Sequence, residues 1–468
     1  MKKVLIILTA LLMLSSVFFA ACENDGDKDI TVAESSVNTY VSDTEGNDAS
    51  DGKQESKDES KAEGNDESKA EGENDESSKA PEKETAKLPT EYKDGGMNIE
   101  AASFSEKPYF VIVGKCAEGA TVTGEANGET VSSKSYKGWY SVRLKCSGKT
   151  ADVKLTQTVD GKQVGEALEY RIKPVTPSAD MWPVVAGGDF QFFFQKMLPD
   201  FKGENLPKKL HLDNLEIRIK NRLKAMREVN PDSEIVYLLV PSAMSVYPEL
   251  VPSQYKQASG DTKYDLIVKQ LEAGGATVID LKGAFAKHKN DELPLYYKLD
   301  SHWSDYGAFV AYTELFNHIS KSFPEAAPRG FDEFNWNEKY RASGDMTYYL
   351  QMSQTKIQEY TYYRTFKDSV SSSITGVPRY VSENKLTYHD AMTYENNVGT
   401  GNSKLPKCLV MRDSYSTQMY DILAERTSST HYLGMWNYTW DKAYIQREAP
   451  DYVIYIVAEW NLDAVLNG

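Results

Sequence analysis

The chain of 468 residues is poor in the side chains that build metal centres and disulfide frameworks. It has four cysteines and six histidines, with no Cys-x-x-Cys pair and no Cys/His spacing typical of a metal site. Positive charge is also in deficit, since 53 Lys and Arg face 69 Asp and Glu, for a net charge of −16. We therefore expect no metal, no cofactor and no nucleic-acid partner.

An apolar run over residues 4–19 follows a basic start and ends in Ala20-Ala21-Cys22. This order is typical of a secretory signal peptide, and the run is too short to favour a membrane-spanning helix. Two small residues before a cysteine resemble a bacterial lipobox. The resemblance implies a signal peptide over 1–22, lipidation of Cys22, and a secreted protein anchored to the outer face of the cytoplasmic membrane. Ordinary secretion with Cys22 unmodified is the alternative.

The negative charge is concentrated in the segment that follows. Residues 23–90 hold 21 acidic and 8 basic residues in Glu-Ser-Lys-Ala-Glu-Gly-like repeats with few large apolar side chains. Such a segment cannot bury enough surface to offset its conformational entropy. We predict a disordered acidic linker over 23–95, with a reach of roughly 45 Å.

Residues 96–176 have the pattern of a small β domain. Short alternating segments are separated by turn dipeptides such as Asn127-Gly128 and Asp160-Gly161. This predicts an immunoglobulin-like (Ig-like) β-sandwich that serves as a spacer or packing partner, with sugar binding as the alternative. Cys116 and Cys146 both lie here, and the sequence does not decide whether they pair.

Residues 177–468 alternate between continuous apolar runs and helical periods. The runs near residues 235–240, 277–281, 408–411 and 452–457 are typical of strands buried on both faces. Helical periods cover 210–229, 261–273, 304–320 and 416–426. This predicts an α/β fold, a three-layer doubly wound parallel sheet, with an irregular Tyr-rich insertion over about 323–405.

Two sites in this part combine residue types that suit acyl transfer. Ser414 follows the apolar run 408–411, where the carboxyl end of a parallel strand exposes reactive groups and the next turn offers N–H groups to an oxyanion. Asp300 and His302 stand two residues apart before a predicted helix N-cap at Ser304, so that Asp300 can orient His302 as a general base. Taken singly, a helix-capping serine and a solvent-facing histidine are the ordinary interpretations.

The run Asp300-Ser-His302-Trp303-Ser-Asp-Tyr-Gly-Ala, with Arg412-Asp413-Ser414-Tyr415 downstream, resembles the DHHW family. Further matching motifs are Ser343-Gly344-Asp345-Met346 and the closing Ala458-Glu459-Trp460. That family is similar to alginate O-acetyltransferase-type proteins with a domain like that of the SGNH hydrolases. The resemblance implies Ser414 as nucleophile, His302 as base and Asp300 as its orienting acid. It also implies acetyl transfer onto an extracellular or cell-wall polysaccharide, with a membrane-bound O-acyltransferase as acetyl donor.

Two positions depart from the family pattern. Arg412 stands where relatives often have Gly, and Ala243 stands where they often have Lys. We expect Arg412, Tyr415, Trp303 and Glu459 near the substrate or the oxyanion, with an Arg412–Glu459 pair as an alternative. Two other functions remain open: a carbohydrate esterase that uses the same three residues, and a non-catalytic glycan-binding or assembly protein.

Overall fold

The computed structural model describes residues 88–93, 95–177, 184–342, 344–352, 355–368, 395–433, 438, 440 and 442–467. The predicted signal peptide with Cys22, the acidic linker up to residue 87 and residues 369–394 of the predicted insertion lie outside these ranges. Within the described ranges, no helix is both long and apolar enough to cross a membrane.

The N-terminal part of the described chain is a β domain of two antiparallel sheets. One sheet has the order β1-β2-β5, and the other has the order β4-β3-β6-β7 with β8 paired to β6. The strands are β1 Ala101–Phe104, β2 Tyr109–Lys115, β3 Thr121–Ala126, β4 Glu129–Lys134, β5 Trp139–Lys145, β6 Ala151–Val159, β7 Lys162–Gln163 and β8 Leu168–Ile172. The predicted β-rich region is therefore present, and its Ig-like character stays a prediction.

Turn chemistry explains the hairpins of this domain. Asn127 and Gly128 join β3 to β4 with φ values of 51° and 76°, and Asp160 and Gly161 join β6 to β7 with 50° and 75°. Asn, Asp and Gly adopt this left-handed region most readily. Cys116, Cys146 and Cys408 are buried free thiols, so the structure has no bond between Cys116 and Cys146.

The sheet β1-β2-β5 is buried on both faces. Its inner face packs in the core of the β domain through residues such as Phe110 and Tyr140. Its outer face, with Val111 and Trp139, packs against Phe193 and other residues of the following domain. Burial of both faces removes the alternation of polar and apolar residues, and β5 is buried at every position but the last. The β domain is thus a packing partner of the α/β domain.

The α/β domain follows. Its strands are β9 Val184–Ala186, β10 Phe192–Phe194, β11 Glu234–Val240, β12 Thr277–Val278, β13 Phe334–Ala342, β14 Gln358–Phe366, β15 Glu395–Val398, β16 Lys407–Arg412, β17 Ser429–Leu433 and β18 Tyr452–Ala458. Its helices are α1 Leu198–Phe201, α2 Lys209–Arg227, α3 Ala243–Val246, α4 Lys263–Ala273, α5 Leu281–His288, α6 Asp305–Ile319, α7 Asp345–Tyr349, α8 Tyr420–Ala424, α9 Lys442–Glu448 and α10 Leu462–Asn467.

A six-stranded sheet of order β12-β11-β18-β16-β17-β15 forms the centre of this domain. Neighbouring strands are parallel except β15, which runs antiparallel to β17 at the edge. Apolar residues of α5, α6 and α8 cover one face, and those of α2, α4, α9 and α10 cover the other. The carboxyl ends of β11, β18 and β16 consequently lie side by side.

Mixed α/β content is confirmed, and the predicted insertion needs one correction. Residues 334–366 are not irregular throughout, because β13 and β14 pair over nine residues each as an antiparallel hairpin. Its strands carry many polar and Tyr residues, and only some positions are buried. The apolar alternation that signals a strand is therefore weak here. This hairpin, β13–β14, reaches the site described next.

Candidate active site

The first element of the site is the segment 299–304, here called the histidine loop, which leads into α6. Ser304 caps α6, because its Oγ accepts hydrogen bonds from the N–H groups of Tyr306 and Gly307 at 3.1 and 3.2 Å. The backbone thus turns from extended to helical at Ser304. Asp300 and His302 lie immediately before this cap, as the sequence predicted.

The second element is the segment 413–416, here called the serine turn, at the carboxyl end of β16. Asp413 caps the short helix Ser414–Met419 by accepting the Tyr415 N–H at 3.0 Å. Its other carboxylate oxygen accepts the Ala458 N–H of β18 at 2.8 Å and the Tyr438 hydroxyl at 3.0 Å. Burial raises the pKa of Asp413. These bonds hold Ser414 at the mouth of the sheet.

The structure brings the three predicted residues into one chain of contacts. His302 Nε2 lies 2.7 Å from Ser414 Oγ, and His302 Nδ1 lies 2.7 Å from Asp300 Oδ1. Asp300 Oδ1 also accepts the backbone N–H of His302 at 3.0 Å. Asp300 is buried, whereas the His302 side chain is 16% exposed. This geometry suits transfer of the serine proton to His302, with Asp300 fixing the ring.

A buried cation compensates the charge of Asp300. Arg341 of β13 donates from Nη2 to Asp300 Oδ2 at 2.5 Å, and from Nη1 to Glu359 of β14 at 3.2 Å. Glu359 in turn accepts the backbone N–H groups of Lys298 and Leu299, next to the histidine loop. Burial alone would raise the pKa of Asp300, but Arg341 and His302 outweigh it and hold that pKa well below its usual range. Asp300 is therefore ionised at neutral pH.

Asp300 also changes the basicity of His302. Burial disfavours the imidazolium form, but the Asp300 carboxylate outweighs burial and raises the pKa of His302 above its ordinary value. The imidazole ring packs beside the Tyr415 ring, with centroids 4.8 Å apart. Its position is thus fixed from the side of the serine turn as well as by Asp300.

A second carboxyl group, Asp345, lies at the start of α7. Its oxygens accept the backbone N–H of Ser301 at 2.8 Å and the Ser301 hydroxyl. Gly344 permits this approach, because a Cβ at that position would collide with the Leu299 carbonyl oxygen. Burial and the neighbouring Asp300 raise the pKa of Asp345 to about 7.

Asp300, His302 and Asp345 could be mistaken for a metal site, since one ligand atom of each lies within 4.8 Å of the others. Their oxygens, however, already accept hydrogen bonds. Asp300 binds His302 and Arg341, and Asp345 uses both oxygens on Ser301. A guanidinium in the cluster also repels a cation. The donor set therefore suits a proton-sharing network better than a metal ion.

The residues predicted to lie near the substrate or the oxyanion do not all face the site. Trp303 is fully buried and donates its Nε1–H to the Tyr415 carbonyl oxygen at 2.8 Å. Tyr415 is buried too, and its hydroxyl donates to the carbonyl oxygen of Ser301. The two residues thus join the histidine loop to the serine turn, and burial keeps Trp303 from touching a substrate.

Arg412 and Glu459 contact different residues. Arg412 is buried, donates to Ser416 Oγ at 3.3 Å and lies 5.6 Å from the Tyr432 ring centre. Glu459 is buried at the end of β18, where it accepts the Ser242 N–H at 2.6 Å and the Ser245 hydroxyl at 2.8 Å. Glu459 therefore ties the end of β18 to the segment after β11, and none of these contacts between described residues joins Arg412 to Glu459.

The turn N–H groups predicted to hold an oxyanion are partly engaged. Those of Tyr415 and Ser416 donate to the side chain and the carbonyl oxygen of Asp413 at 3.0 and 3.3 Å. Sequence reasoning also missed Arg341 and Glu359, which lie in the stretch interpreted as irregular. Asp345 was in a matching motif without an assigned role. Only the pairing of β13 with β14 shows that Arg341 and Glu359 share one face.

Residues 209–407 match the family model described as the SGNH hydrolase-like domain of acetyltransferase AlgX. The predicted resemblance is confirmed for this segment. The match includes Asp300, His302, Arg341 and Asp345 and ends before Ser414, which the fold brings to His302. The matched model describes a domain of an acetyltransferase, and the sequence predicts an acyltransferase or esterase of the SGNH-like type. No curated protein matches the chain significantly.

Solved structures similar to this chain include three bacterial proteins. The O-acetyltransferase domain of Pseudomonas putida AlgJ is 18% identical, with 60% of this chain and 91% of that one covered, at a TM-score of 0.39. Bacillus cereus PatB1 with a sulfonyl adduct is 18% identical, with 60% and 97% covered, at 0.43. A DHHW family protein from Eubacterium siraeum is 12% identical, with 67% and 92% covered, at 0.37.

Proposed function

We propose that this protein is a surface-anchored O-acetyltransferase that moves acetyl groups onto an extracellular or cell-wall polysaccharide through an acetyl-serine at Ser414. The observation that carries the proposal is the unbroken series Ser414–His302–Asp300, with both contacts at 2.7 Å. The match of residues 209–407 to an acetyltransferase family supports the same reaction class.

In the first half-reaction, Ser414 Oγ attacks the carbonyl carbon of an acetyl donor while His302 Nε2 takes the serine proton. The resulting imidazolium is stabilised by ionised Asp300 at Nδ1. Collapse of the tetrahedral intermediate expels the donor's leaving group, which receives the proton from His302. The enzyme is left with acetylated Ser414 and a neutral imidazole.

In the second half-reaction, a sugar hydroxyl takes the place of the leaving group. His302 removes its proton as the hydroxyl oxygen attacks the acetyl-serine, and then returns the proton to Ser414 Oγ. Water in the same place gives an esterase, and the partial exposure of His302 leaves room for that reaction. The acceptor, not the three residues, separates transfer from hydrolysis.

The proposal includes an anchor and a donor. Lipidation of Cys22 would hold the protein on the outer face of the cytoplasmic membrane, and a linker with a reach of roughly 45 Å would let the domain sample a polymer. A membrane-bound O-acyltransferase is the proposed source of acetyl groups. Intact mass of the mature protein tests the anchor, because an unmodified Cys22 contradicts it.

The catalytic proposal is tested with an activated acetyl ester such as p-nitrophenyl acetate. Wild type should gain one acetyl group on Ser414, located by peptide mass spectrometry, and Ser414→Ala should gain none there. Ser403→Ala, which changes an exposed serine, is the matched control. Equal turnover by wild type and Ser414→Ala would overturn the mechanism. Adding a glycan acceptor then shows whether acetyl passes to sugar or to water.

A further inference from the structure

Asp345 is a carboxyl group beside the site that the mechanism above does not use. It holds Ser301, the residue between Asp300 and His302, through both the backbone N–H and the hydroxyl. Ser301 Oγ in turn lies 3.5 Å from His302 Nδ1. Asp345 therefore contacts the centre of the histidine loop, not its edge.

Several charged or titratable side chains surround Asp345. Asp300 and His302 each have a ligand atom within 4.8 Å of the Asp345 carboxyl. Arg341 donates to Asp300 Oδ2 from Nη2 and to Glu359 from Nη1. Tyr349 on α7 and Tyr415 on the serine turn also face Asp345, but burial raises the pKa of both, so they stay neutral. Asp345 and His302 are the two remaining groups able to change charge near neutral pH.

Because Asp345 and His302 lie this close together, the protonation state of one changes the pKa of the other. Burial and Asp300 raise the pKa of Asp345 to about 7. Burial lowers the pKa of His302, but Asp300 and then Asp345 raise it, with a net rise. When Asp345 is ionised, the imidazolium is stabilised, and when Asp345 is protonated, that stabilisation is lost.

We propose that Asp345 is a positioning residue of this site: it holds Ser301 beside His302, and its charge sets the pH range in which His302 accepts the serine proton. The inference rests on the proposed function for its kinetic readout only. The contacts on which it depends are those of the histidine loop itself.

Asp345→Asn tests the charge while keeping the shape. The amide oxygen accepts the Ser301 N–H, and the amide NH2 donates to Ser301 Oγ, so the variant mimics protonated Asp345. The rate of Ser414 acetylation is measured from about pH 5 to about pH 9. Because the pKa of Asp345 is about 7, Asp345 is protonated in wild type well below pH 7, and there the two profiles should coincide. Above about pH 7, ionised Asp345 retains a proton on His302 in wild type only, so the variant should complete its acid limb about 1 unit lower in pH and react up to about tenfold faster in that range.

Two further variants separate the effect of the Asp345 charge from the effect of its hydrogen bonds to Ser301. Ser301→Ala keeps the Asp345 carboxyl group and its backbone N–H contact, so its rate should fall while Asp345 still titrates, and its pH profile should differ from that of Asp345→Asn. Asp345→Ala should show the same displacement as Asp345→Asn together with a lower plateau. A pH profile of Asp345→Asn that superimposes on that of wild type would overturn the inference.

A direct titration makes the result independent of acetyl transfer. The ring of His302 is followed by NMR in wild type and Asp345→Asn, and its signal is assigned with His302→Gln. A lower pKa of His302 in Asp345→Asn supports the inference even if no acetyl-serine forms. An unchanged pKa contradicts it even if acetylation proceeds, so the two proposals fail separately.

Discussion

The serine turn and the histidine loop meet at Ser414 and His302, yet different forces hold them. In the serine turn, Asp413 bonds to the next turn and to the neighbouring strand β18. In the histidine loop, buried charged residues of β13, β14 and α7 hold Asp300 and its neighbours. The serine thus depends on the sheet, whereas the base depends on a hairpin and a short helix outside it.

This difference explains why the sequence predicts more about the serine turn than about the histidine loop. The position of Ser414 follows from a buried strand and the turn after it, which are local features. The charge state of His302 depends on Arg341, 41 residues from Asp300, and on Asp345, 44 residues from Ser301. Removing a charged partner of the histidine loop should therefore lower stability and the acetylation rate more than removing one neutral contact of the serine turn.

The largest effect is expected from Arg341→Met, which leaves Asp300 and Glu359 buried without their cation. Breaking a buried ion pair from one side costs about 3–5 kcal/mol, and acetylation of Ser414 should fall strongly. Chemical denaturation and the acetylation rate measure the two effects. Lys339→Met on the same strand removes an exposed cation and is the control, with an expected change within about 0.5 kcal/mol.

The pH dependence of this loss has a definite sign. Because the pKa of Asp300 is lower in the folded protein than in the unfolded chain, its ionisation stabilises the fold at any pH above the unfolded-state pKa of about 3.9. This stabilisation is lost as the pH falls toward the folded-state pKa. The difference between wild type and Arg341→Met should therefore be complete at about pH 7 and shrink below about pH 4. A constant difference over this range would show that Arg341 acts by packing alone.

An intermediate effect is expected from Trp303→Phe, because Trp303 joins the two regions through its bond to the Tyr415 carbonyl oxygen at 2.8 Å. Losing this buried bond and some volume should cost about 2 kcal/mol. Acetylation should slow as His302 and Ser414 lose their common support. Trp336→Phe makes the same change at a partly exposed indole, whose bond to the Phe331 carbonyl oxygen is 3.2 Å long, and it should leave the acetylation rate unchanged.

A smaller effect is expected from Asp413→Asn in the serine turn. The amide provides one acceptor oxygen where Asp413 uses two, so either the Tyr415 N–H or the pair from Ala458 and Tyr438 loses its partner. We expect a loss of about 1–2 kcal/mol in unfolding free energy. Tyr438→Phe removes one donor only and should cost less. A loss as large as that of Arg341→Met would refute the contrast between the two regions.

The smallest effect is expected where the β domain meets the hairpin β13–β14. Lys137 pairs with Glu338 at 3.4 Å, with both side chains 42% exposed. Because solvent screens such a pair, Lys137→Ala should cost less than about 1 kcal/mol and leave acetylation unchanged. A marked fall in rate would mean that the β domain controls the placement of Arg341.

Much of the fold followed from the sequence because its signals are local. The predicted strands near 235–240, 408–411 and 452–457 correspond to β11, β16 and β18, and the period over 304–320 corresponds to α6. The run near 277–281 gives only the short strand β12. The hairpin β13–β14 was missed, since it lacks a regular apolar alternation.

The sequence by itself determined that Asp300, His302 and Ser414 stand at ends of structural elements, because hydrophobic period and capping residues mark those ends. Only the tertiary structure decided which charges surround them. It turned Arg412 toward Ser416, tied Glu459 to Ser242, and placed Arg341 and Asp345 around the histidine loop. The physical reason is that a buried charge needs a partner close in space, and local sequence patterns do not show which distant residue provides it.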